Sequence, residues 1–356
     1  MGAAKLVLLS KQAGKQGSIF EAKMSPANGP TVEVPKDEQV DDGNSEALSS
    51  IGTTIDSAMS CSSLGCNYVN GRRYHAFREG RYPLPNDEGE QYRGDLNSYL
   101  FKDVCDGKLF LAPLRPPAPQ KVLELGTGTG SWAIDMGERF PDAQVVGVDL
   151  SRIQPGFMPN VDFQVDDVES EWLHPTDFDF IFLRELSVYI QDPRKLFERA
   201  FQHLKPGGWI ECQDLELAAY SDDGSLPEGA PLQRLFEVIR AVKDIGEHYG
   251  AENHNHLPLI GDFLREAGFT RVEKTMDRKI PWSPWAHHDP RELYWGKCMS
   301  VSVDTFLPFA PKLLSDGGIQ DPVEIDKIIE GSRRAVRDDR VHPYSNFIVW
   351  IAQKPL

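Results

Sequence analysis

The sequence predicts an α/β protein with an open, mainly parallel β-sheet and helices on both of its faces. In the middle of the chain, short apolar runs alternate with helical patterns. This alternation is typical of parallel sheets, because a helix carries the chain back from the end of one strand to the start of the next. A glycine-rich turn between the first apolar run and the first helix is a second indication of the same fold.

The parallel core of the sheet is predicted between about residues 120 and 215. Five apolar runs in this region are interpreted as strands, at 122–125, 145–149, 161–165, 178–183 and 209–212. Helices are predicted at about 131–140 and 193–204. The second helix is expected to end in the turn 205–208, which contains a proline and two glycines.

The composition of the remaining chain predicts a tail, a cap segment and further parts of the main domain. Residues 1–65 are polar and poor in aromatic residues, so they bury too little apolar surface to offset the entropy of ordering, and we predict a disordered tail. A helical cap segment with a proline-rich end is predicted at 66–119, and the main domain at 120–356. The main domain is expected to contain two more strands, at 269–276 and 347–351, and helical insertions at about 218–265 and 285–340.

The formal net charge of -16 disfavours direct binding to nucleic acid, because an acidic surface repels a phosphate backbone. The densest basic cluster lies close to the acidic stretch 87–90, so we predict that its arginines form ion pairs within the chain or face solvent. They are Arg72, Arg73, Arg78 and Arg81. No apolar run approaches the roughly 20 residues of a membrane span, so no association with a membrane is expected.

The cysteine and histidine residues predict neither disulfides nor a metal site. The five cysteines are odd in number and scattered, which favours reduced thiols in an intracellular protein, cytoplasmic or alternatively nuclear. Two histidine pairs, His254 with His256 and His287 with His288, have no nearby cysteines and no helical i, i+4 spacing. We therefore expect no bound metal ion.

The most informative segment is the strand 122–125 followed by three alternating glycines. Gly126, Gly128 and Gly130 allow the backbone to approach a ligand closely, and a helix begins immediately after them. The N-terminus of a helix presents unpaired N–H groups that suit a carboxylate or a phosphate. The turn therefore predicts a binding site for an anionic group of either kind.

Acidic residues at the ends of the next two strands extend this site. Asp149 can accept hydrogen bonds from both hydroxyl groups of a ribose, which predicts an adenosine ligand. Asp166 and Asp167 offer a carboxylate for the adenine amino group, and Val168 offers a backbone donor. The spacing departs from the dinucleotide pattern G-x-G-x-x-G, because the third glycine comes one position early, at Gly130. A nicotinamide dinucleotide is therefore disfavoured.

These segments resemble the class I methyltransferases, and the wider pattern is similar to the fungal LaeA-like methyltransferase family. The resemblance covers about residues 70–356, with 147–155 as its most specific part. The stretches that carry it are YH at 74–75, YPLPND at 82–87, EQYR at 90–93, VLELGTGTG at 122–130, WAID at 132–135, GVDLSRIQP at 147–155, LKPGGW at 204–209, AGFT at 267–270 and HPY at 342–344.

The resemblance implies a Rossmann-like class I sheet of seven strands and S-adenosyl-L-methionine as the cofactor. Glu124, two residues before the first glycine, also favours this methyl donor over a dinucleotide. The predicted donor-binding residues are Glu124, Gly126, Thr127, Gly128, Gly130, Asp149, Leu150, Asp167, Val168 and Arg184.

The residues that act on the methyl acceptor are less specific in the sequence. Ligands of open α/β sheets bind beyond the carboxyl ends of the strands, so Arg184, Glu185, Asp214 and Glu216 are expected near the reacting centre, as loop ion pairs or as catalytic groups. Tyr74 is a further candidate. An aromatic set forms either an apolar acceptor pocket or ordinary core, and it contains Trp282, Trp285, Tyr294, Trp295 and Phe306.

Two functions follow from these observations. The first is methylation of a small-molecule secondary metabolite in a fungal biosynthetic pathway. The alternative is a LaeA-like nuclear regulator of secondary metabolism that acts through protein partners, with the tail 1–65 as an interaction segment. A dinucleotide-dependent oxidoreductase is a more remote third possibility, and it conflicts with the glycine spacing and with Glu124.

Overall fold

The computed structural model of the protein describes residues 66–114, 119–156, 158–242 and 257–356. The predicted disordered tail and the pair His254 and His256 lie outside these ranges. In the described residues the strands are, in chain order, β1 (Cys66–Val69), β2 (Arg72–His75), β3 (Lys121–Leu125), β4 (Gln144–Asp149), β5 (Val161–Val165), β6 (Phe178–Arg184), β7 (Leu204–Leu215), β8 (Thr270–Pro281) and β9 (Tyr344–Gln353).

β1 and β2 form a separate antiparallel hairpin, and the other strands form one seven-stranded sheet in the order β5-β4-β3-β6-β7-β9-β8. β9 runs antiparallel to both of its neighbours, whereas the strands from β5 to β7 are parallel. This is the predicted seven-stranded, mainly parallel sheet, and the prediction of the fold is confirmed. The hairpin was not predicted.

The chain leaves the centre of the sheet at β3, reaches the edge at β5, and returns to the other side of β3 with β6. The strand order therefore reverses between β3 and β6. Neighbouring loops diverge at such a point and leave a crevice outside the carboxyl ends of the strands. The topology thus fixes where a ligand can bind.

Helices in the described residues are α1 (Glu88–Val104), α2 (Ser131–Arg139), α3 (Pro193–His203), α4 (Pro231–Val242), α5 (Ile260–Glu266), α6 (Pro290–Phe306), α7 (Ala310–Asp316) and α8 (Pro322–Arg337). One predicted turn is wrong. Residues 205–208 belong to β7, where they interrupt its pairing with β6, because Leu204 pairs with Phe178 and the next pair is Trp209 with Phe180.

Alternate residues of β6 pack on opposite faces of the sheet, so each face carries its own core. Phe182 stacks on the Trp132 ring of α2 at a centroid distance of 3.9 Å. Ile181 and Leu183, by contrast, belong to the cluster that includes Leu196 of α3. All of these side chains are buried, as expected of a parallel strand covered by helices on both sides.

The arginine cluster is paired within the chain, as predicted. Arg72 forms a bidentate bond with Asp87 (2.5 and 2.6 Å), Arg73 binds Glu88 at 2.9 Å, and Arg81 binds Glu169 at 3.2 Å. Among the described residues, none of the helices combines the length and the apolar character that a membrane span requires.

One expectation about the cysteines is wrong. Cys105, Cys212 and Cys298 are free and buried, but Cys66 is disulfide-bonded. His287 and His288 are solvent-exposed and approach Asp339 and Glu292, respectively, at 3.5 Å.

Candidate active site

A cavity of ≈ 270 Å³ lies at the carboxyl ends of β3, β4 and β6, in the crevice that the strand order creates. Residues of the glycine turn form its polar end together with Asp149 and Asp167. Side chains that follow β7 and β8, or lie on α4 and α6, form its apolar end. Arg184, Glu185 and Leu186 lie between the two ends, and we call this segment the junction.

The glycine turn after β3 is one wall of the polar end. Gly126, Gly128 and Gly130 have φ values of 70°, 55° and 83°, which residues with a Cβ rarely adopt. A Cβ on Gly128 would meet no atom within 4 Å, whereas a Cβ on Gly130 would lie 2.5 Å from the Phe163 ring. Gly128 therefore leaves free space beside the cavity. Gly130 does not line the cavity and instead permits close packing of α2 against β5.

The turn also leaves the N-terminus of α2 without a side-chain cap. Gly130 is the N-cap residue and makes no side-chain hydrogen bond, and the first turn contains no acidic residue. The first N–H groups of a helix have no partner within the helix and carry partial positive charge. This end of the cavity therefore suits an anionic group.

Asp149 ends β4 beside the glycine turn and lines the cavity. Its Oδ2 accepts a hydrogen bond from the Gly128 N–H at 2.9 Å, and its Oδ1 accepts one from the Ser151 N–H at 2.9 Å. Burial raises the pKa of Asp149 to about 6, although these backbone N–H groups oppose the rise. Because each carboxylate oxygen has a further lone pair, Asp149 can still accept two hydroxyl groups.

Glu124 lies in β3, immediately before the turn, and is almost completely buried. Its Oε2 accepts a hydrogen bond from the Thr127 hydroxyl group at 2.5 Å. Burial raises the pKa of Glu124 to about 8, opposed by the Thr127 hydrogen bond and the positive charge of Arg184. The carboxyl group therefore changes protonation near neutral pH, and a nearby cation would favour its ionised form.

Asp167, Val168 and Leu150 complete the polar end. Asp167 accepts a hydrogen bond from the Glu169 N–H at 2.9 Å and lies 3.5 Å from the Arg81 guanidinium group. The Val168 carbonyl group accepts a hydrogen bond from the Trp172 indole at 2.7 Å. Asp167 and Val168 follow the end of β5, and Leu150 follows Asp149 at the end of β4, as the sequence predicted from the order of the strands.

The junction contains two partly buried charges of opposite sign. The Arg184 guanidinium group donates to the Ser98 hydroxyl group at 2.7 Å, and the Asn97 amide donates to both carboxylate oxygens of Glu185 at 3.2 and 3.4 Å. Burial lowers the pKa of Arg184 and raises the pKa of Glu185, whose rise Arg93 and Arg184 oppose. Glu185 also has a φ of 51°, a backbone strain of about 1–3 kcal/mol that is typical of functional sites.

Residues that precede the sheet cover the cavity. On α1, Glu90 and Arg93 form a bidentate ion pair at 2.6 and 2.9 Å. Tyr82 packs edge-to-face on Tyr189 at 4.7 Å. None of these cavity-lining residues was predicted, although Tyr82, Glu90 and Arg93 lie in the stretches 82–87 and 90–93, whose family resemblance was the signal that could have identified them.

α1 and the segment that follows it are held in this position by hydrogen bonds from distant parts of the chain. Glu211, buried in β7, accepts hydrogen bonds from the N–H groups of Leu111 and Ala112, each at 2.7 Å. On α6, the Arg291 guanidinium group and the Trp295 indole both donate to the Asp103 carboxylate, at 3.0 and 2.7 Å. The segment that covers the cavity is thus attached to β7 of the sheet and to α6.

The apolar end is lined by residues from four separate segments. Most of these side chains are buried, and none carries a charge. They are Leu215, Leu217, Leu235, Phe236, Ile239, Trp282, Met299, Ser302, Val303 and Phe306. Of the five aromatic residues predicted for an acceptor pocket, Trp282 and Phe306 are in this set.

The other predicted residues lie elsewhere. Trp285 donates to the Pro343 carbonyl group, and Tyr294 and Trp295 are also outside the cavity lining. The candidates Glu216 and Tyr74 do not line the cavity either. Glu216 accepts hydrogen bonds from Tyr220 (2.7 Å) and Asn346 (3.0 Å), and Tyr74 is a hairpin residue of β2 paired with Asn67. Asp214, buried in β7, is likewise absent from the lining.

Comparison with known proteins identifies the family. Residues 96–274 match the model of a family described as a methyltransferase domain. Methyltransferase pytC of Aspergillus terreus is 37% identical over 311 residues, which are 85% of this chain and 94% of that protein. The chain belongs to the methyltransferase-domain family. It is a class I, S-adenosylmethionine-dependent methyltransferase, and the predicted enzyme class and cofactor are confirmed.

The methyltransferase is also similar to fungal proteins with regulatory names. Secondary metabolism regulator LAE1 of Cochliobolus heterostrophus is 32% identical and covers 81% of this chain and 95% of its own. Secondary metabolism regulator laeA of Aspergillus flavus is 36% identical and covers 80% of this chain and 77% of its own. The predicted resemblance to the LaeA-like family is confirmed.

Among solved structures, a phosphoethanolamine N-methyltransferase of Haemonchus contortus, in complex with phosphomonomethylethanolamine and S-adenosylhomocysteine, has a TM-score of 0.45. It is 18% identical and covers 79% of this chain and 60% of its own.

Proposed function

We propose that this methyltransferase transfers the methyl group of S-adenosylmethionine to a small, mainly apolar acceptor of secondary metabolism. One observation carries the proposal: a single cavity joins a polar end, suited to a nucleoside, to a buried apolar end without charged side chains. Such a shape suits two ligands that meet at the junction. The relative named methyltransferase pytC agrees with an enzyme rather than only a binding protein.

We assign the donor to the polar end on three features. The free space beside Gly128 and the uncapped N-terminus of α2 suit the carboxylate of the methionine part. The Asp149 carboxylate suits the two ribose hydroxyl groups, and Asp167 with Val168 suits the adenine. Glu124 and Arg184 also line the cavity and interact electrostatically, and we assign both to the methionine part.

The donor brings a methyl group that is already activated by the positive charge on sulfur. The chain's contribution is therefore mainly alignment and exclusion of water. The Tyr82 and Tyr189 pair and α1 cover the polar end, and the buried side chains of the apolar end exclude water from the acceptor.

Titration of the purified protein with S-adenosylmethionine and S-adenosylhomocysteine tests the donor site by calorimetry. Incubation of fungal extracts with isotopically labelled donor, followed by mass spectrometry, then tests the acceptor. We expect both nucleosides to bind and the label to appear in a small molecule. Absence of binding would overturn the assignment of the cavity.

The relatives named secondary metabolism regulators favour one alternative, a regulator that acts through protein partners. Under that function, labelled donor would modify protein or nothing at all. Removal of residues 1–65 would then abolish capture of the partner, whereas methylation of a small molecule would not depend on this segment.

A further inference from the structure

Glu185 stands where the two ends of the cavity meet. Its N–H donates to the Gln213 carbonyl group of β7 at 2.9 Å, two residues before Leu215 of the apolar end. The next residue, Leu186, is the side chain that a Cβ on Gly126 would meet at 2.9 Å. The carboxylate therefore belongs to a segment that contacts the glycine turn on one side and the start of the apolar end on the other.

The charges around Glu185 leave no surplus positive charge for an anionic acceptor. Arg93 is held by Glu90 in a bidentate pair, and Arg184 lies beside Glu124. Two guanidinium groups thus face three carboxyl groups, including Glu185 itself. Neither guanidinium group is therefore free to bind an anionic acceptor, whereas a neutral acceptor needs no such partner.

The Glu185 carboxylate has a hydrogen-bond donor, but its oxygens can accept further hydrogen bonds. One Asn97 amide nitrogen reaches both of its oxygens, at 3.2 and 3.4 Å, so lone pairs remain for another donor. Burial raises the pKa of Glu185, which makes its ionised form a stronger base than an exposed carboxylate. Because the φ of Glu185 is 51°, the surrounding structure must hold this residue in place against the ordinary preference of the backbone.

We propose that the acceptor is an apolar molecule that presents one uncharged hydroxyl group at the junction, where Glu185 receives its proton. The inference rests on the proposed function and specifies its acceptor. The Glu185 carboxylate takes the hydroxyl proton while the acceptor oxygen forms its bond to the methyl carbon. The electron pair of the broken carbon–sulfur bond stays on sulfur, so the products are a methyl ether and neutral S-adenosylhomocysteine.

Three probes that differ in one substituent test this proposal: naphthalene, 1-naphthol and 1-naphthoate. Each is titrated calorimetrically, at about pH 7, into the full-length protein saturated with S-adenosylhomocysteine, whose own binding is measured first. We expect 1-naphthol to bind at least about tenfold more tightly than 1-naphthoate, because the latter brings a second negative charge to the partly buried Glu185 carboxylate. It should also bind more tightly than naphthalene, because its hydroxyl group gains a charged acceptor.

Two matched variants test whether the Glu185 carboxylate causes the preference for 1-naphthol over 1-naphthoate. Glu185→Gln should reduce the preference for 1-naphthol over 1-naphthoate by about tenfold while leaving S-adenosylhomocysteine binding within about threefold. Glu216→Gln makes the same chemical change at the end of the adjacent strand but outside the cavity, and it should retain the wild-type preference.

Several outcomes would overturn the proposal. Tighter binding of 1-naphthoate would indicate an acceptor carboxylate, and binding of none of the probes to a protein that binds S-adenosylhomocysteine would refute the acceptor class while leaving the proposed donor site intact. An unchanged preference in Glu185→Gln would remove Glu185 from the reaction. Failure of S-adenosylhomocysteine to bind would overturn the proposed function, and this inference with it.

Discussion

The two ends of the cavity are built in different ways. The polar end takes its residues from the ends of three strands that follow one another in the chain, between Glu124 and Val168, and much of it is backbone. The apolar end takes side chains from four segments spread between Leu215 and Phe306. The first end is therefore determined by local geometry, whereas the second depends on how distant helices pack. A donor site of this kind can stay constant while the acceptor site changes.

The largest effect, on the free energy of unfolding, is expected from adding a side chain to the glycine turn of the polar end. Gly130→Val should lower the free energy of unfolding by about 4 kcal/mol, because φ is 83° and a Cβ would lie 2.5 Å from the Phe163 ring. Gly128→Ala is the matched control, since its Cβ meets nothing within 4 Å, and it should lose only about 1 kcal/mol. Urea unfolding of both variants measures the difference, and equal losses would contradict the packing argument.

The buried carboxyl group of the polar end should make stability depend on pH. The pKa of Glu124 is raised from 4.5 to about 8 in the folded protein, so its stabilising contribution is complete below about pH 4.5 and is lost as the pH rises towards 8. We expect the free energy of unfolding to fall by about 4 kcal/mol across this window from Glu124 alone. Urea unfolding at several pH values should show a smaller fall for Glu124→Gln, and identical curves would refute the assignment.

A smaller effect is expected from removing the ribose partner. Asp149→Ala should weaken S-adenosylmethionine binding by about 1–3 kcal/mol, because the ribose hydroxyl groups lose a charged acceptor. Val303→Ala in the apolar end should leave this affinity unchanged and serves as the control. Calorimetry on both variants measures the effect. If the folded Asp149→Ala variant bound the donor like the wild type, Asp149 would not be the ribose ligand.

The smallest effect is expected at the apolar end. Val303→Ala removes two methyl groups from the wall of the acceptor site and should weaken binding of 1-naphthol by about 1 kcal/mol. Binding of S-adenosylhomocysteine should not change, because α6 contributes nothing to the polar end. A loss of affinity for both ligands would show that the two ends are not independent.

The sequence predicted the sheet and most of the polar end for the same physical reason. Buried parallel strands are uninterrupted apolar runs, and the residues that follow them meet at one edge of the sheet. Glu124, Asp149 and Asp167 could therefore be assigned to the same edge of the sheet from the sequence alone. The prediction failed at residues 205–208, where proline and glycines indicated a turn, because Leu204 before them already pairs with Phe178 of β6 and β7 therefore begins earlier.

The apolar end was harder to predict because one position along a strand or helix decides which side a residue faces. Leu215 and Leu217 line the cavity, so Glu216 between them faces away and contacts Tyr220. The same applies to α6, where Phe306 lines the cavity but Tyr294 does not. Nothing in the composition of these segments distinguishes the two sides.

The hydrogen bonds that hold α1 and the segment after it have a consequence for the order of folding. The Leu111 N–H and its acceptor Glu211 are 100 residues apart, and Asp103 is bound by Arg291, which is synthesised later still. Contacts of such long separation form late, because the intervening loop must first be closed. During synthesis α1 therefore emerges early, but its segment can form these hydrogen bonds only after β7 and α6 have been synthesised. In nascent chains that end before α6, α1 would not yet be fixed over the glycine turn.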